Sequence, residues 1–328
     1  MKLVYSAVAV YALALGVAQG ALTIDSTPVA PPEDIIGEHQ PLQKTWTISS
    51  VDELEKLHLL IPGRVFIDVE ANLPTVAPIP ITQLRRELRD HDSDDDSDDK
   101  KKHHKPTETV IAKIIVSGNS SDLINLFENA VAEGYVLTQI ILTNKNHLRR
   151  LSTILSDDVV LGDSVLVEND EETSVKIATS GAGSVFVKST ADISLSSMSI
   201  DVSGEGSVQI EVPSLKLQDS LVSNVAGNGN ISVLADASFK TREIKTAVSG
   251  SGNFLLVGSI VAERSYVSVW GSGDVVVQAT DKLKVTTTFS GSVGYVGERP
   301  KHVKTSKWLF WRTEIVHPAE SNEVLAYD

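Results

Sequence analysis

The C-terminal half of the chain repeats one short pattern of polar and apolar residues. A Gly-x-Gly pair is followed by a polar residue and then by alternating apolar and polar residues, as in GEGSVQIEV. The copies follow one another at steps of 23, 23, 23, 21 and 20 residues. Alternation indicates β-strands, and the period predicts a solenoid whose repeats bury their cores only against neighbouring repeats. The glycine pairs are Gly181 and Gly183, Gly204 and Gly206, Gly227 and Gly229, Gly250 and Gly252, and Gly271 and Gly273, with a degenerate copy at Gly291.

Two apolar positions follow each glycine pair and are predicted to point into the core, because residues two apart in a strand share a face. The first of these columns contains Val185, Val208, Ile231, Phe254 and Val275. The second contains Val187, Ile210, Val233, Leu256 and Val277. The residue before the first column is polar in each copy and is predicted to face outward: Ser184, Ser207, Asn230, Asn253 and Asp274.

Each repeat has room for three short strands, which predicts a parallel β-helix over residues 171–297. The second strand lies midway between glycine pairs, at ISL (193–195), LKL (215–217), FKT (239–241), IVA (260–262) and LKV (283–285). The third precedes the next glycines, as in SIDV and VSVW. Glycine suits the stacked corners because it accepts a positive φ and a close backbone approach. In the last copy, Val293 stands where we expect the second glycine.

Residues 46–170 have a mixed pattern and are predicted to form strands and short helices. Helices are predicted at TISSVDELEKLHLL (47–60), where Ser50 and Glu53 form a capping-box pattern, and at 81–90 and 121–134. Strands are predicted at 63–71, 109–118, 135–144 and 163–170. The predicted fold class is therefore mainly β, a parallel β-helix with a mixed α/β N-terminal part.

The chain ends carry different signals. Residues 1–20 have Lys2, an apolar run and small residues at Ala18 and Gly20, which predicts a secretory signal peptide; an uncleaved signal anchor is the alternative. Residues 21–45 are a Pro-rich linker, and residues 90–106 form an acidic insert predicted to be disordered. Residues 298–328 are predicted to form a C-terminal cap and tail, with Trp308, Phe310 and Trp311 covering the open end of the coils.

Composition narrows the functional classes. The net charge of -14 argues against nucleic acid and anionic membranes as partners, because both would repel the protein. The 328 residues include no cysteine, which excludes disulfides, cysteine nucleophiles and zinc ribbons. No later stretch is apolar enough to span a membrane after signal cleavage. We expect a secreted or cell-surface protein.

The repeats SGEGSVQI, AGNGNISV, SGSGNFLL and WGSGDVVV resemble those of the head GIN domain family of autotransporter adhesins. The upstream RVFIDV and IIVSGNSSDLI resemble the leading strands of that family, so the resemblance covers about residues 46–297. It implies a right-handed β-helix and a non-catalytic adhesion or binding protein, secreted or attached to the surface. The partner implied is an extracellular surface or a glycan.

The glycine pairs and a few charged residues are the candidates for catalytic and cofactor sites. The glycine pairs open no helix and precede no Lys-Ser/Thr, so they do not predict a phosphate loop, and their period differs from that of calcium-binding nonapeptides. No catalytic, cofactor-binding or metal-binding residue is assigned. An extracellular polysaccharide lyase or hydrolase is the alternative, since Arg242, Glu243, Glu263 and Arg264 fall on adjacent coils; a surface ladder of ion pairs is the commoner explanation for such residues.

Three short motifs lie outside the strand pattern. RELR (86–89) resembles the host-targeting element of oomycete effectors, which leaves a secreted effector as a second alternative. His91, His103 and His104 in the acidic tract offer loose metal ligands or a solvated loop. Asn119 and Asn230 each begin an Asn-x-Ser sequence, so both are candidate N-glycosylation sites in a eukaryotic source.

Overall fold

The computed structural model shows a β-solenoid of about seven turns. It describes residues 14–16, 23–26, 42–50, 54–61, 63–70, 109–118, 136–154, 156–307 and 316–319. Every regular element in these ranges is a strand, and all of the strands belong to one sheet. Within this part of the chain no helix has the length and apolar character that a bilayer crossing requires.

The repeats form long strands that bend twice within each turn of the solenoid. In β13 (Val208–Gly227) the pairing with β14 (Ile231–Gly250) shifts register between Val212 and Ser214 and again between Leu217 and Ser220. These two shifts divide each turn into three segments and confirm three strand segments per repeat. We name the resulting surfaces the post-glycine face (208–212 in β13), the middle face (215–217) and the pre-glycine face (220–227).

The other strands of the solenoid pair in parallel with these two, directly or through one another. They are β10 (Asn169–Gly181), β11 (Ser184–Lys188), β12 (Ile193–Gly204), β15 (Phe254–Gly271), β16 (Val275–Val277), β17 (Lys282–Thr287), β18 (Val293–Tyr295), β19 (His302–Lys307) and β20 (Val316–Pro318). Strand β19 pairs with β17 and β20 pairs with β18, so the stack continues C-terminally beyond the repeats. The predicted cap residues Trp308, Phe310 and Trp311 lie outside the described residues.

The N-terminal strands extend the same stack. They are β1 (Ala14–Gly16), β2 (Thr23–Ser26), β3 (Leu42–Ser50), β4 (Lys56–Leu59), β5 (Arg64–Val69), β6 (Thr109–Gly118), β7 (Val136–Leu142), β8 (Arg150–Ile154) and β9 (Asp158–Leu161). Strands β4 and β8 lead in parallel to β10, and β5 and β9 lead in parallel to β11. Strand β7 pairs in parallel with β5, and β6, β3 and β2 then continue antiparallel. Parallel coils therefore begin well before the first glycine pair.

The predicted mixed α/β character of the N-terminal part is not supported. The helix predicted at 47–60 is wrong, because β3 ends at Ser50 and residues 56–59 form β4. Leu57 and Leu59 are both buried while Lys56 is exposed, which is the alternation of a strand rather than a helical stripe. Pairing with β8 satisfies the backbone of this segment. The helices predicted at 81–90 and 121–134 lie outside the described residues.

The strand predictions in this part have different outcomes. Strands β5, β6 and β7 confirm those at 63–71, 109–118 and 135–144. The strand predicted at 163–170 is wrong over most of its length: it is a turn with a positive φ at Ser164, followed by a single bridge from Leu148 to Leu166. Val165, Leu166 and Val167 are all buried, so this apolar run does not alternate between two faces.

The two predicted inward columns lie in the core, together with the inward residues of the other faces. Val185, Val208, Ile231, Phe254 and Val275 are each at most 1% exposed, and the second column is similarly buried. The parallel register places each member directly on its counterpart in the next coil, as in Val208 on Ile231 and Ile231 on Phe254. The aligned apolar side chains of successive coils thus form one continuous core.

The two positions of each pair require glycine for reasons that differ. The first has a positive φ, for example +119° at Gly204, and its carbonyl accepts two N–H groups from the next corner. The second is buried against the preceding coil: a Cβ on Gly229 would lie 1.9 Å from the carbonyl oxygen of Gly206. The positive φ therefore distinguishes the first glycine from the second, while close approach of two backbones restricts the second glycine and, from Gly204 onward, the first as well.

The final repeat has a different register from the one predicted. Val293 pairs with Val275, so it belongs to the inward column and does not replace a glycine. Gly291 stacks on Gly273 and fills the second glycine position, which leaves Phe289 in register with Gly271. Leu283 pairs with Ser265 on the pre-glycine face, so LKV (283–285) is not a middle strand. This coil is short because it has no described strand on its middle face.

Candidate functional site

The polar column beside the glycines is a structural ladder. Each side chain accepts a backbone N–H from its counterpart in the next coil: Ser184 from Ser207 at 3.1 Å, Ser207 from Asn230 at 3.2 Å and Asn230 from Asn253 at 3.0 Å. The same pattern continues through Asp274 to Ser292. These side chains are engaged in holding the coils in register, so the column does not offer a free ligand surface.

The two glycosylation candidates stay predictions. Asn119 lies outside the described residues. Asn230 is half-buried in the ladder, where its Oδ1 accepts from both the backbone N and the Nδ2 of Asn253. A glycan attached at Asn230 Nδ2 would therefore have to pass between Ser207 and Asn253, its ladder neighbours on the adjacent coils.

Exposed ion pairs account for the charged residues considered as catalytic candidates. Arg242 bonds the carboxylate of Asp219 and the carbonyl oxygen of Gln218. Glu243 pairs with Lys245, and Arg264 lies 4.0 Å from Glu263. Glu243 and Arg264 are also register partners on adjacent coils. Glu243 and Glu263 therefore each have a cation nearby within their own coil, while Arg242 joins its coil to the preceding one through Asp219.

Ion pairs between coils occur elsewhere on the outer surface. Lys216 Nζ lies 2.7 Å from Glu171 and, together with Ser194, it lowers the pKa of that carboxyl below its ordinary value. Glu211 raises the pKa of Lys188 in the same way, across 2.8 Å. The pKa of Asp170 is lowered, first by the Thr173 hydroxyl. None of the described residues forms a group of three or more His, Asp or Glu able to hold a metal ion.

A trough on the pre-glycine face is the candidate binding site. Its volume is about 280 Å³, and it is open along the outer surface of the last regular coils. Small outward side chains form its floor, since the register stacks Asn224 on Ala247, Ala247 on Ser268 and Ser268 on Thr286. Three coil spacings give this floor a length of roughly 14 Å.

One wall of the trough is a column of large side chains. Lys245, Tyr266 and Lys284 are register partners on three successive coils, two residues before the floor column in each strand. Lys282 Nζ lies 5.7 Å from the centroid of the Tyr266 ring and does not line the trough. The wall thus alternates cation, aromatic ring and cation at about 4.8 Å spacing.

The surroundings of the trough are basic in an acidic protein. Lys284 and Lys304 are exposed register neighbours that form no ion pair with any described residue. Lys245 forms an ion pair with Glu243. At the opposite end of the floor, Asn224 donates a 2.7 Å hydrogen bond to the carboxylate of Asp201, and Lys176 pairs with that carboxylate. The local excess of positive charge is therefore concentrated at the C-terminal end of the floor.

Two exposed aromatic side chains lie beside this end. Trp270 is 58% exposed, and its Nε1 donates a 2.8 Å hydrogen bond to the hydroxyl of Ser268, a floor residue. Phe289 is 66% exposed at the corner where the other coils have a glycine. Contiguous exposed apolar patches mark interaction sites, so these two side chains support the trough only as its neighbours.

Sequence reasoning did not find the trough. The Lys-x-Ala, Tyr-x-Ser and Lys-x-Thr fragments of its strands are unremarkable when taken singly. The signal that locates them is their common position in the coil, which requires the register of β15 on β17. The assignment of 283–285 to the middle face placed Lys284 away from Tyr266.

The repeats also match a known protein family. Residues 173–298 match a family model described as "Putative auto-transporter adhesin, head GIN domain". These coils are similar to head GIN domains. The match confirms the resemblance drawn from the glycine repeats, and it fits a non-catalytic binding role. The trough lies wholly within the matched residues.

Two solved structures share similarity with the chain, both from Parabacteroides distasonis ATCC 8503. One is described as a putative lipid binding protein, with a TM-score of 0.47 and 13% identity. The other is described as a putative adhesin, with a TM-score of 0.44 and 13% identity. Each alignment covers 92% of this chain and 98% of the other. No curated protein matches the chain.

Proposed function

We propose that this chain is a secreted or cell-surface binding protein without catalytic activity, and that its solenoid holds an extracellular ligand against the pre-glycine face. The observation that carries the proposal is the match of residues 173–298 to an adhesin head family, in which the trough lies. The fold supports it physically, because continuous parallel pairing from β10 to β17 fixes outer side chains in rows on a rigid support.

Binding without turnover is the property to test. Purified protein is incubated with insoluble cell-wall material and sedimented, and the supernatant is assayed for new reducing ends. We expect retention in the pellet with no increase in reducing ends. Release of reducing ends or of unsaturated sugars would favour the lyase or hydrolase alternative, and the absence of any retention would overturn the proposal.

Secretion is part of the same proposal and is tested separately. Cleavage after Gly20 would leave Ala21 as the new N-terminus and would remove β1, which pairs antiparallel with β4 in the full chain. N-terminal sequencing of protein recovered from the medium is expected to begin at Ala21. Recovery of the protein only from the membrane fraction, with Met1 as its first residue, would contradict cleavage and favour the signal anchor.

A further inference from the structure

We infer that the ligand of the trough is an acidic polysaccharide, whose chain lies along the floor and whose anionic groups pair with Lys284 and compete with Glu243 for Lys245. This inference rests on the proposed function and specifies its ligand. The shared chemistry is an anionic group, carboxylate or sulfate, repeated along a sugar chain.

The shape of the site favours a linear polymer. The floor of small side chains crosses four coils, and in the next described strand Ser306 and Lys304 continue the columns of Thr286 and Lys284. A compact solute would contact only part of this length, whereas an extended chain would contact every coil that it crosses. The repeat of the coils and the repeat of the polymer would then run in the same direction.

The wall residues favour a sugar that bears negative charge. The Tyr266 ring offers an apolar surface and a hydroxyl, which suits a sugar ring with both C–H and hydroxyl groups. Lys284 has no ion partner among the described residues, so binding an anion there breaks no existing pair. Lys282 already lies over Tyr266, which keeps a second positive charge close to the same ring.

Nucleic acid and anionic membrane fit the same surface less well. The net charge of -14 on the whole chain opposes every polyanion, and it opposes a duplex or a membrane most because both present their negative charge over a wide area, whereas a single polysaccharide chain is narrow. The cationic groups of the trough are confined to one wall, and Asp201 lies just beyond the Asn224 end. A flexible chain with spaced charges can follow that wall and avoid the rest of the surface.

The test compares charged and neutral polymers on matched variants. Full-length protein is run in affinity gels that contain polygalacturonate, dextran sulfate or unmodified dextran. We expect retardation by one or both anionic polymers, which identifies carboxylate or sulfate as the preferred group, and none by dextran. Lys284→Glu is expected to lower the affinity about tenfold, the loss of one charge-assisted contact. The control Lys240→Glu makes the same charge change at an exposed residue of the middle face and is expected to change it less than about twofold.

The tyrosine provides a second measurement that is independent of net charge. Tyr266→Ala is expected to weaken binding several-fold while Tyr266→Phe retains most of it, because the ring supplies the stacking surface. Unchanged melting temperatures would show that these exposed variants remain folded. An equal loss for Lys240→Glu and Lys284→Glu, or equal retardation by dextran, would overturn the inference.

The outcomes separate this inference from the proposed function. Retention on cell walls without retardation by either anionic polymer would overturn the acidic ligand and leave the binding role intact. Loss of both would overturn both. Tighter binding to single-stranded polyadenylate or to phosphatidylserine vesicles than to either glycan would also overturn the acidic polysaccharide and assign the trough to another anionic partner.

Discussion

The inner and outer residues of the coils alternate along the same strands, yet they follow different rules. Inward positions such as Val208, Ile231 and Phe254 repeat one chemical type from coil to coil. Outward positions vary, and Lys245, Tyr266 and Lys284 occupy one outer column on successive coils. Each inward side chain must fill the space left by its neighbours above and below, whereas an outward side chain meets water. Features that select a ligand can therefore differ between coils without disturbing the stack.

The largest expected effect comes from placing the same charge on the two sides of one strand. Val208→Asp would bury an unpaired carboxylate in the core and is expected to cost about 3–5 kcal/mol of the free energy of unfolding. Ser207→Asp, one residue earlier, keeps an acceptor oxygen for Asn230 N and is expected to cost less than about 1 kcal/mol. Urea denaturation of both variants is the measurement. Equal losses would show that the faces are assigned wrongly.

The next effect separates the two demands on the corner glycines. Gly181 and Gly204 have similar positive φ values, +114° and +119°. A Cβ on Gly181 would meet nothing within 4 Å, whereas one on Gly204 would lie 2.4 Å from the carbonyl oxygen of Gly181. Both Ala variants carry the backbone strain, and Gly204→Ala adds crowding of about 1–3 kcal/mol. Thermal denaturation is expected to give the lower melting temperature for Gly204→Ala; matching values would mean that conformation alone selects these glycines.

A smaller effect of opposite sign is expected inside the core. The Thr246 hydroxyl is buried and has no hydrogen-bond partner in the described part of the chain. Thr246→Val removes this unpaired group at nearly constant volume and is expected to stabilise the protein by up to about 1 kcal/mol. Thr179→Val is the matched control, because the Thr179 hydroxyl donates a 2.9 Å hydrogen bond to Gly183 O. This variant is expected to be less stable than the unchanged protein by a similar amount. Destabilisation by both changes, measured by urea denaturation, would contradict this account.

The smallest effect belongs to the exposed ion pairs between coils. Folding lowers the pKa of Glu171 below 4.5, so its pair with Lys216 stabilises the folded state above that pH, and the contribution is lost as the pH falls through the lowered pKa. Lys216→Met is therefore expected to lower the melting temperature slightly at neutral pH and to have no effect in strong acid. A difference that persists in strong acid would point to packing of the lysine stem rather than to charge.

Local patterns were sufficient for the regular coils and insufficient at their two ends. The inward columns follow from alternation and a 23-residue step, both of which are visible in the chain. At the N-terminal end, the capping-box pattern of Ser50 and Glu53 predicts a helix, but parallel pairing of residues 56–59 with β8 produces a strand. Tertiary pairing overrides a local helix signal when both faces of the segment find partners. At the C-terminal end, the spacing of Gly271 and Gly291 resembles one more full repeat, but Gly291 stacks on Gly273, so the coil between them is shorter.

The sequence by itself determined the solenoid, because each repeat carries its own alternation, its paired glycines and its polar ladder residue. It did not determine which outer residues would become neighbours. Lys245, Tyr266 and Lys284 are separated by about twenty residues each, and only the register of β14, β15 and β17 brings them into one column. Stacking energy is local to each coil and repeats along the chain, whereas a surface site depends on the summed offsets of successive coils. The last of these offsets is that of the short coil, whose register brings Lys284 beside Tyr266 in the wall of the trough.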